Sequence, residues 1–202
     1  ALGFEKTLNR MKEDRKEIPD WINEMYKQGS HSFYKIENGK KYFYSFNKAK
    51  YVEISIGDSS FSFQSKKDQG LHLNKNWSAS IVDLEDGVAG VEFHSVLQSS
   101  FNPIDGSLMQ TIAETLSLVK DKGYKGMVIS SDATHFSAGA NLNLILNAAE
   151  NNDWDSIDNL TSNMQKILQS VRFSNFPVVV APFGMVLGGG YEVVGACDRV
   201  VA

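Results

Sequence analysis

The chain has 202 residues, of which 42% are hydrophobic, and its 20 basic side chains against 24 acidic ones give a formal net charge of −4 at pH 7. These values exclude fibrous, collagen-like and wholly disordered chains. The scattered lysines and mild acidity argue against a nucleic-acid-binding surface. Cys197 is the only cysteine, so a disulfide framework is excluded and a reducing, cytoplasmic location is favoured.

The first fifty residues predict a small helical and β-hairpin segment. Apolar residues recur at helical spacing over residues 4–15, and a second helix is expected to begin at Pro19 and end at Gly29. Two aromatic runs then flank Asn38-Gly39, a strong hairpin signal. Residues 51–77 have a weaker pattern, apart from a brief alternation of Phe61 and Phe63, and are interpreted as a linker with a domain boundary near residue 77.

Beyond residue 77, strands and helices alternate after an opening hairpin, which predicts an α/β layered domain with parallel strands. The expected strands are residues 79–84, 88–93, 126–130, 177–181 and 200–201. The expected helices are residues 108–119, 141–149, 157–173 and 189–196.

Neither a secretory signal nor a membrane span is expected. The first twenty residues carry many charges without an apolar run. The uncharged stretch 173–191 contains two prolines and a glycine triplet, which suit a buried strand, a loop and a helix start better than a continuous span.

Two glycine-containing turns form the candidate site. Residues 136–142 read Phe-Ser-Ala-Gly-Ala-Asn-Leu and residues 184–192 read Gly-Met-Val-Leu-Gly-Gly-Gly-Tyr-Glu, each after an expected strand and before a helix. Small side chains let a ligand approach the backbone, and N–H groups at a helix start suit negative charge. Together the turns could present two N–H groups to one oxygen, as in an oxyanion hole. Alone, each is more typical of a tight turn.

Other site types lack their signatures. The dinucleotide fingerprint Gly-x-Gly-x-x-Gly, the phosphate-binding loop and the Gly-x-Ser-x-Gly elbow are all missing from the sequence. No pair of histidines or cysteines has metal-ligand spacing. We therefore expect no metal and no bound cofactor on this chain.

Glu192 is the strongest candidate for a catalytic side chain. We expect it to be buried beside glycine amides, where a carboxylate is costly unless it is paired or used. The alternative is a first-turn glutamate stabilised by the helix dipole. His135 and His94 are more typical of solvated residues than of ligand-binding ones, and Cys197 is interpreted as a small core residue.

Both turns resemble motifs of the crotonase (enoyl-CoA hydratase/isomerase) superfamily, which has Phe-x-Ala-Gly-Ala-Asp-Leu and Gly-x-x-Leu-Gly-Gly-Gly-x-Glu. The second motif lies between Pro-Val-Val, here residues 177–179, and Cys-Asp, here Cys197-Asp198. Asn141 replaces the usual aspartate of the first motif. The resemblance covers residues 78–202 and implies the N-terminal half of a crotonase-type ββα spiral domain, preceded by the helical and hairpin segment.

The resemblance also implies functional roles. The backbone N–H groups of Ala140 and Gly189 would hold the thioester oxygen of an acyl-CoA, and Glu192 would be the first of two catalytic glutamates, the second lying beyond residue 202. The acyl-CoA-binding residues would come from the first motif: Phe136, Ala138, Gly139 and Leu142. Crotonase relatives commonly form homo-oligomers.

Residues 1–50 resemble the tail of a 3-hydroxyacyl-CoA dehydrogenase domain. This implies a piece of a bacterial bifunctional fatty-acid β-oxidation enzyme, with an NAD-binding domain upstream, and a chain that is inactive as a hydratase by itself. Two alternatives stay open at this point: an enoyl-CoA isomerase of the same superfamily, and a non-catalytic acyl-CoA-binding or docking module.

Overall fold

The computed structural model describes residues 4–37, 40–54 and 61–202. The chain divides into two compact units, residues 1–61 and residues 62–202.

The first unit contains two helices and a three-stranded antiparallel sheet. Its elements are α1 (Phe4–Glu13), α2 (Asp20–Lys27), β1 (Tyr34–Glu37), β2 (Lys40–Ser45) and β3 (Lys50–Glu53). The strands lie in the order β1-β2-β3. The two predicted helices and the paired strands of the hairpin are confirmed, whereas the predicted Asn38-Gly39 turn lies outside the described residues.

Aromatic rings join the helices of this unit to the ends of its hairpin. The ring of Phe33, just before β1, meets Phe4 of α1 edge to face at 5.0 Å between centroids. Trp21 of α2 lies 5.8 Å from Phe33 and 5.6 Å from Phe46, just after β2. Such ring pairs contribute packing energy beyond the area they bury.

The second unit is built on a six-stranded sheet in the order β4-β5-β6-β7-β8-β9. Strands β4 to β6 pair antiparallel, and β6 to β9 pair parallel. Its elements are α3 (Phe63–Asp68), β4 (His72–Lys75), β5 (Ala79–Asp83), β6 (Val88–Phe93), α4 (Gly106–Lys122), β7 (Gly126–Ser130), α5 (Leu142–Glu150), α6 (Trp154–Arg172), β8 (Val178–Val180), α7 (Gly189–Ala196) and β9 (Arg199–Val200).

Residues 51–77 do not form the linker that their polar composition suggested. Residues 51–53 belong to β3, and α3 and β4 belong to the second unit, so the boundary between the units falls after residue 61. Phe63, expected in a strand-like alternation, begins a helix instead and is buried. Its ring fills the space beside Gly90, where an added Cβ would lie 2.8 Å from Cε1 of Phe63. The packing of Phe63 against Gly90 therefore fixes α3 in place, although the sequence pattern of this segment is weak.

Helix α4 shows how local signals set the bounds of an element. The carboxylate of Asp105 accepts a hydrogen bond from the N–H of Leu108 at 2.9 Å, and Gly123 ends the helix in the left-handed conformation at φ 71°. Between these caps, one face of the helix is buried against the sheet, including Leu108, Ile112 and Val119.

Parallel pairing puts three connecting loops at one edge of the sheet. We call them the first loop (residues 94–105, after β6), the second loop (131–141, after β7) and the third loop (181–188, after β8). Ligand sites in open parallel sheets lie at the carboxyl ends of the strands. Both sequence motifs fall in these loops, so the fold brings the two predicted halves of the site to the same edge.

Candidate active site

The three loops are hydrogen-bonded to one another like short parallel strands. Between the second and third loops, the N–H of Ser137 donates to the carbonyl of Met185 at 3.1 Å, and the N–H of Leu187 donates to the carbonyl of Ser137 at 3.0 Å. This ladder holds the two motif-bearing turns in fixed register.

A second ladder joins the first loop to the second. The N–H of Ile104 donates to the carbonyl of Gly139 at 2.8 Å, and the N–H of Asn141 donates to the carbonyl of Ile104 at 2.9 Å. In this pattern the residue between the two bonded positions, Ala140, directs its own N–H away from the ladder.

The N–H groups of Ala140 and Gly189 have no hydrogen-bond acceptor in residues 4–37, 40–54 and 61–202. For Ala140 this follows from the ladder register. For Gly189 it follows from its place as the first residue of α7, because the first N–H groups of a helix have no partner within it. Two backbone donors are therefore available, one on each turn.

The two turns approach each other backbone to backbone. A Cβ added to Gly139 would lie 3.5 Å from the nitrogen of Gly189 and only 2.9 Å from the carbonyl oxygen of Leu187. A Cβ added to Gly189 would lie 3.7 Å from the nitrogen of Ala140. Gly139 also has φ 98°, which L side chains rarely adopt. Glycine is required here because any side chain would separate the turns.

A cleft of about 370 Å³ opens beside these donors. Ala140 is part of its wall, and the apolar part of the wall comes from the first loop, α4 and α6: Ile104, Met109, Leu160 and Met164. Gly189 packs against two of these side chains, because a Cβ on it would lie 2.9 Å from Cε of Met164 and 3.3 Å from Cδ1 of Ile104.

A neighbouring groove of about 440 Å³ runs between α5 and α6 and shares Ser156 and Leu160 with the cleft. Its other apolar wall residues are Leu144, Ile145, Ala148 and Ile157. The two donors thus lie beside a largely apolar surface that is continuous with this groove.

Glu192 does not occupy the buried position that the sequence suggested. It is exposed in the first turn of α7. The helix buries Gly189, Gly190, Val193 and Ala196, so Tyr191 and Glu192 are on its outer face. Among the described residues its carboxylate has no hydrogen-bond or ion-pair partner. The expectation of burial was wrong because only one face of this apolar helix packs on the core.

The other predicted site residues lie in three different surroundings. Ala138 and Gly139 lie in the second loop next to the Ala140 donor, with Gly139 buried. Phe136 is fully buried, 5.0 Å from the ring of Phe93 between centroids, so it supports the turn from the core. Leu142 is exposed at the start of α5. The acyl-CoA-binding role of these residues stays a prediction.

The residues that hold the loops together are not among the predicted site residues. Asn102 is fully buried, and its side chain bonds to both the first and second loops. His135, expected to be solvated, is half-buried, and its Nδ1 accepts a hydrogen bond from the N–H of Met185 at 3.2 Å. The sequence offers one signal for Asn102, the turn-forming pair Asn102-Pro103, and none for the partner of His135.

The described part of the chain holds neither a cluster of metal-binding side chains nor a membrane-spanning helix. Within residues 4–37, 40–54 and 61–202, no three His, Cys, Asp or Glu side chains are grouped so that they could bind a metal ion. Over the same residues, no helix has the length and apolar character needed to cross a bilayer.

Curated relatives match this chain along part of their own length. It is 32% identical over 202 residues to a protein of Bacillus subtilis named probable 3-hydroxyacyl-CoA dehydrogenase, covering all of this chain and 25% of that protein. It is 27% identical over 133 residues to the fatty acid oxidation complex subunit alpha of Colwellia psychrerythraea, covering 65% of this chain and 18% of that one. The chain thus spans a quarter or less of these relatives.

Solved structures confirm the predicted fold class. An enoyl-CoA hydratase from Geobacillus kaustophilus superposes with a TM-score of 0.56 at 24% identity, covering 63% of this chain and 46% of that one. An enoyl-CoA hydratase from Thermoplasma volcanium gives a TM-score of 0.53 at 24% identity, covering 61% and 48%. The sequence profile of the enoyl-CoA hydratase/isomerase family matches residues 83–202. That match takes in more than half of the chain and both glycine turns, and so the chain belongs to the enoyl-CoA hydratase/isomerase family, the crotonases.

Proposed function

We propose that this chain carries the oxyanion-stabilising part of an enoyl-CoA hydratase site, within a bifunctional fatty-acid β-oxidation enzyme. The observation that carries the proposal is the pair of unpaired N–H groups, of Ala140 and Gly189, on two turns that meet backbone to backbone beside an apolar cleft. This arrangement suits an oxygen that gains negative charge during a reaction.

Hydration of a 2-enoyl-CoA places charge at such an oxygen. The oxygen of water bonds to C3 and releases one proton to a base, while the C2–C3 π electrons shift toward the thioester and leave an enolate oxygen. C2 then takes a proton and the carbonyl re-forms. Donors already aimed at that oxygen stabilise the transition state more than the ground state, by about 2.7–4 kcal/mol for one donor.

Glu192 is the proposed acid/base residue of this chain. It lies one turn beyond Gly189 on α7, and its exposed carboxylate has no partner within the described residues. We propose that this carboxylate exchanges a proton with water or with C2 of a bound thioester. Acid/base assistance of this kind contributes about 10²–10⁴ in rate. We propose that a second glutamate comes from sequence outside residues 1–202, so the chain by itself hydrates poorly.

The cleft fits the acyl part of the substrate. Its apolar wall, built by Ile104, Met109, Leu160 and Met164, adjoins Ala140. An acyl chain that follows this wall would leave its thioester oxygen near the two N–H groups. Burial of the chain contributes about 0.8 kcal/mol per CH₂.

The first unit is the proposed tail of a 3-hydroxyacyl-CoA dehydrogenase domain. Support comes from the Bacillus subtilis relative of that name, which matches the full 202 residues. The chemistry also fits, because the product of hydration is a 3-hydroxyacyl-CoA. NAD would bind to the dehydrogenase domain outside this chain.

The test replaces Glu192 by Gln in the complete polypeptide that contains this chain. We expect hydration of a 2-enoyl-CoA, followed by loss of absorbance of the conjugated thioester, to fall about 10²-fold to 10⁴-fold. Affinity for acyl-CoA, measured by calorimetry, should stay within about twofold because the backbone donors remain. The matched control is Glu150→Gln, an exposed glutamate at the end of α5.

The same assays separate the alternatives. An unchanged hydration rate in Glu192→Gln would contradict the proposed role of this carboxylate. Migration of a double bond in a 3-enoyl-CoA without addition of water would assign the isomerase reaction. Tight acyl-CoA binding without turnover in the unmodified polypeptide would indicate a docking module.

A further inference from the structure

We infer that Asn102 and His135 are positioning residues that together fix the direction of the Ala140 and Gly189 N–H groups. The inference rests on the proposed function for its catalytic readout. Its structural basis is a polar cluster formed by three buried residues, Asn102, Ser131 and Ser137, and the half-buried His135, which we call the polar junction. It links all three loops.

Asn102 uses its whole side chain to join the first and second loops. It is 0% exposed. Nδ2 donates to Oγ of Ser131 at 3.0 Å and to the carbonyl of His135 at 3.1 Å. Oδ1 accepts from the N–H of Ser95 at 3.0 Å. A buried amide with both donors and its acceptor engaged holds its neighbours in one arrangement, because any shift leaves a polar group unpaired.

The backbone of Asn102 extends this link to Gly139. Its carbonyl accepts a hydrogen bond from Oγ of Ser137 at 2.8 Å, and the same Oγ accepts from the N–H of Gly139 at 3.1 Å. Asn102 has φ 42°, a left-handed conformation in which asparagine is tolerated better than most residues. Both the side chain and the backbone of Asn102 therefore hold the second loop.

The Ala140 donor is oriented by the peptide that precedes it. In a trans peptide the C=O and the following N–H point in opposite directions. The carbonyl of Gly139 is bound by the N–H of Ile104, two residues after Asn102. With that carbonyl fixed toward the first loop, the N–H of Ala140 points to the opposite side. Asn102 thus acts on this donor by fixing the first loop.

His135 provides the matching link to the third loop. Its Nδ1 accepts from the N–H of Met185, four residues before Gly189. Gly184 has φ 60° and packs so closely that an added Cβ would lie 2.5 Å from the same nitrogen. The side chain of Asn102 binds the carbonyl of His135. The imidazole of His135 therefore connects the third loop to the polar junction. An acceptor at Nδ1 means that the neutral ring carries its proton on Nε2.

The test uses paired substitutions in the complete polypeptide. Asn102→Gly keeps the left-handed backbone accessible and removes the side-chain bonds, whereas Asn102→Asp keeps an acceptor for Ser95 and loses the donors. His135→Asn retains an acceptor near the Nδ1 position, whereas His135→Phe does not. The control is Asn152→Gly, because Asn152 also has a positive φ of 55° but is exposed in the loop between α5 and α6.

We expect Asn102→Gly and His135→Phe to lower kcat by about 10-fold to 10²-fold with KM changed by less than about threefold, because the donors become misdirected while the cleft remains. The infrared carbonyl stretch of a bound acyl-CoA, which N–H donors shift to lower frequency, should move back toward its value in water. Asn102→Asp should lower kcat at least as much as Asn102→Gly, because it sets a buried carboxylate against the carbonyl of His135. His135→Asn and Asn152→Gly should behave like the unmodified protein.

Normal kcat and a normal carbonyl shift in folded Asn102→Gly and His135→Phe would overturn the inference, leaving a purely structural role. If Asn102→Gly does not fold, His135→Phe and His135→Asn carry the test, since only the asparagine side chain keeps an acceptor near the Nδ1 position. If the carbonyl stretch of acyl-CoA bound to the unmodified protein shows no shift, that result would count against the proposed function instead.

Discussion

Nζ of Lys67 lies 2.7 Å from Oε2 of Glu92, whose residue is only 3% exposed. Lys67 belongs to α3 and Glu92 to β6, so this pair joins the helix to the sheet. The carboxylate lies on the same strand face as Gly90, against which Phe63 of α3 packs. A buried carboxylate has lost its hydration, so Glu92 depends on Lys67 to stabilise its charge.

Replacing Lys67 by Ala should destabilise the second unit by about 3 kcal/mol, because it leaves a buried charge without its partner. The adjacent Lys66 provides the control. It pairs with Glu85, whose side chain is mostly exposed, so Lys66→Ala should cost less than about 1 kcal/mol. Urea denaturation followed by circular dichroism measures both. Equal losses would show that burial of Glu92 does not decide the strength of the pair.

His94 should make this unit less stable at mildly acidic pH. Burial lowers its pKa from the ordinary histidine value of 6.5, and the charges of Lys67 and Lys75 act in the same direction, while Glu92 opposes them. Its Nε2 lies 2.6 Å from Oγ of Ser80. As the pH falls through 6.5, the unfolded chain takes up the proton before the folded one does. Stability is therefore lost as the pH falls toward the lowered folded pKa.

The check is the free energy of unfolding of the native chain and of His94→Gln at about pH 7.5 and about pH 5.5, where an ordinary histidine changes charge. We expect the substitution to reduce the loss on acidification. The same loss in both proteins would mean that His94 does not contribute to it.

Elements with local signals could be predicted from the sequence. Helix α7 spans residues 189–196 as expected, since glycines mark its start and apolar residues continue it. Helix α4 follows its apolar spacing and ends at Gly123. The two glycine turns also met as expected, because parallel strands of one sheet deliver their loops to one edge.

What the sequence could not show depends on distant partners. The carboxylate of Asp132 accepts two hydrogen bonds from the N-terminus of α3. Its Oδ1 lies 3.1 Å from the nitrogen of Phe63, and its Oδ2 lies 2.8 Å from the nitrogen of Gln64. No pattern within residues 63–68 indicates a cap 68 or more positions away. Similarly, the apolar sequence of α7 does not reveal which face packs on the core, so the expected burial of Glu192 is wrong. Local periodicity predicts an element, whereas its orientation depends on the packed structure.

Gly139 and Gly195 should respond to alanine in opposite directions. Gly139→Ala forces a side chain onto φ 98° and places Cβ 2.9 Å from the backbone oxygen of Leu187. The backbone strain alone should cost about 1–3 kcal/mol. Gly195 lies inside α7 with open space around an added Cβ, so Gly195→Ala should stabilise by about 0.5–1 kcal/mol. Thermal unfolding of both variants checks the signs, and a destabilised Gly195→Ala would contradict this account of α7.

Cys197 should be a slow nucleophile in the folded chain. Burial raises the pKa of its thiol to about 12, and the neighbouring charge of Asp198 adds to the effect. Sγ also donates to the carbonyl of Val193 at 3.2 Å. Because the thiolate is the reactive form, the native protein should react with Ellman's reagent near neutral pH at least about 10²-fold more slowly than the urea-unfolded chain, whose thiol titrates near 8.5. Because these 202 residues contain a single cysteine, the absorbance of the released product reports the reaction of Cys197 alone. Rapid labelling of the native chain would mean that the thiol reaches solvent and ionises easily, contrary to its packing at the end of α7.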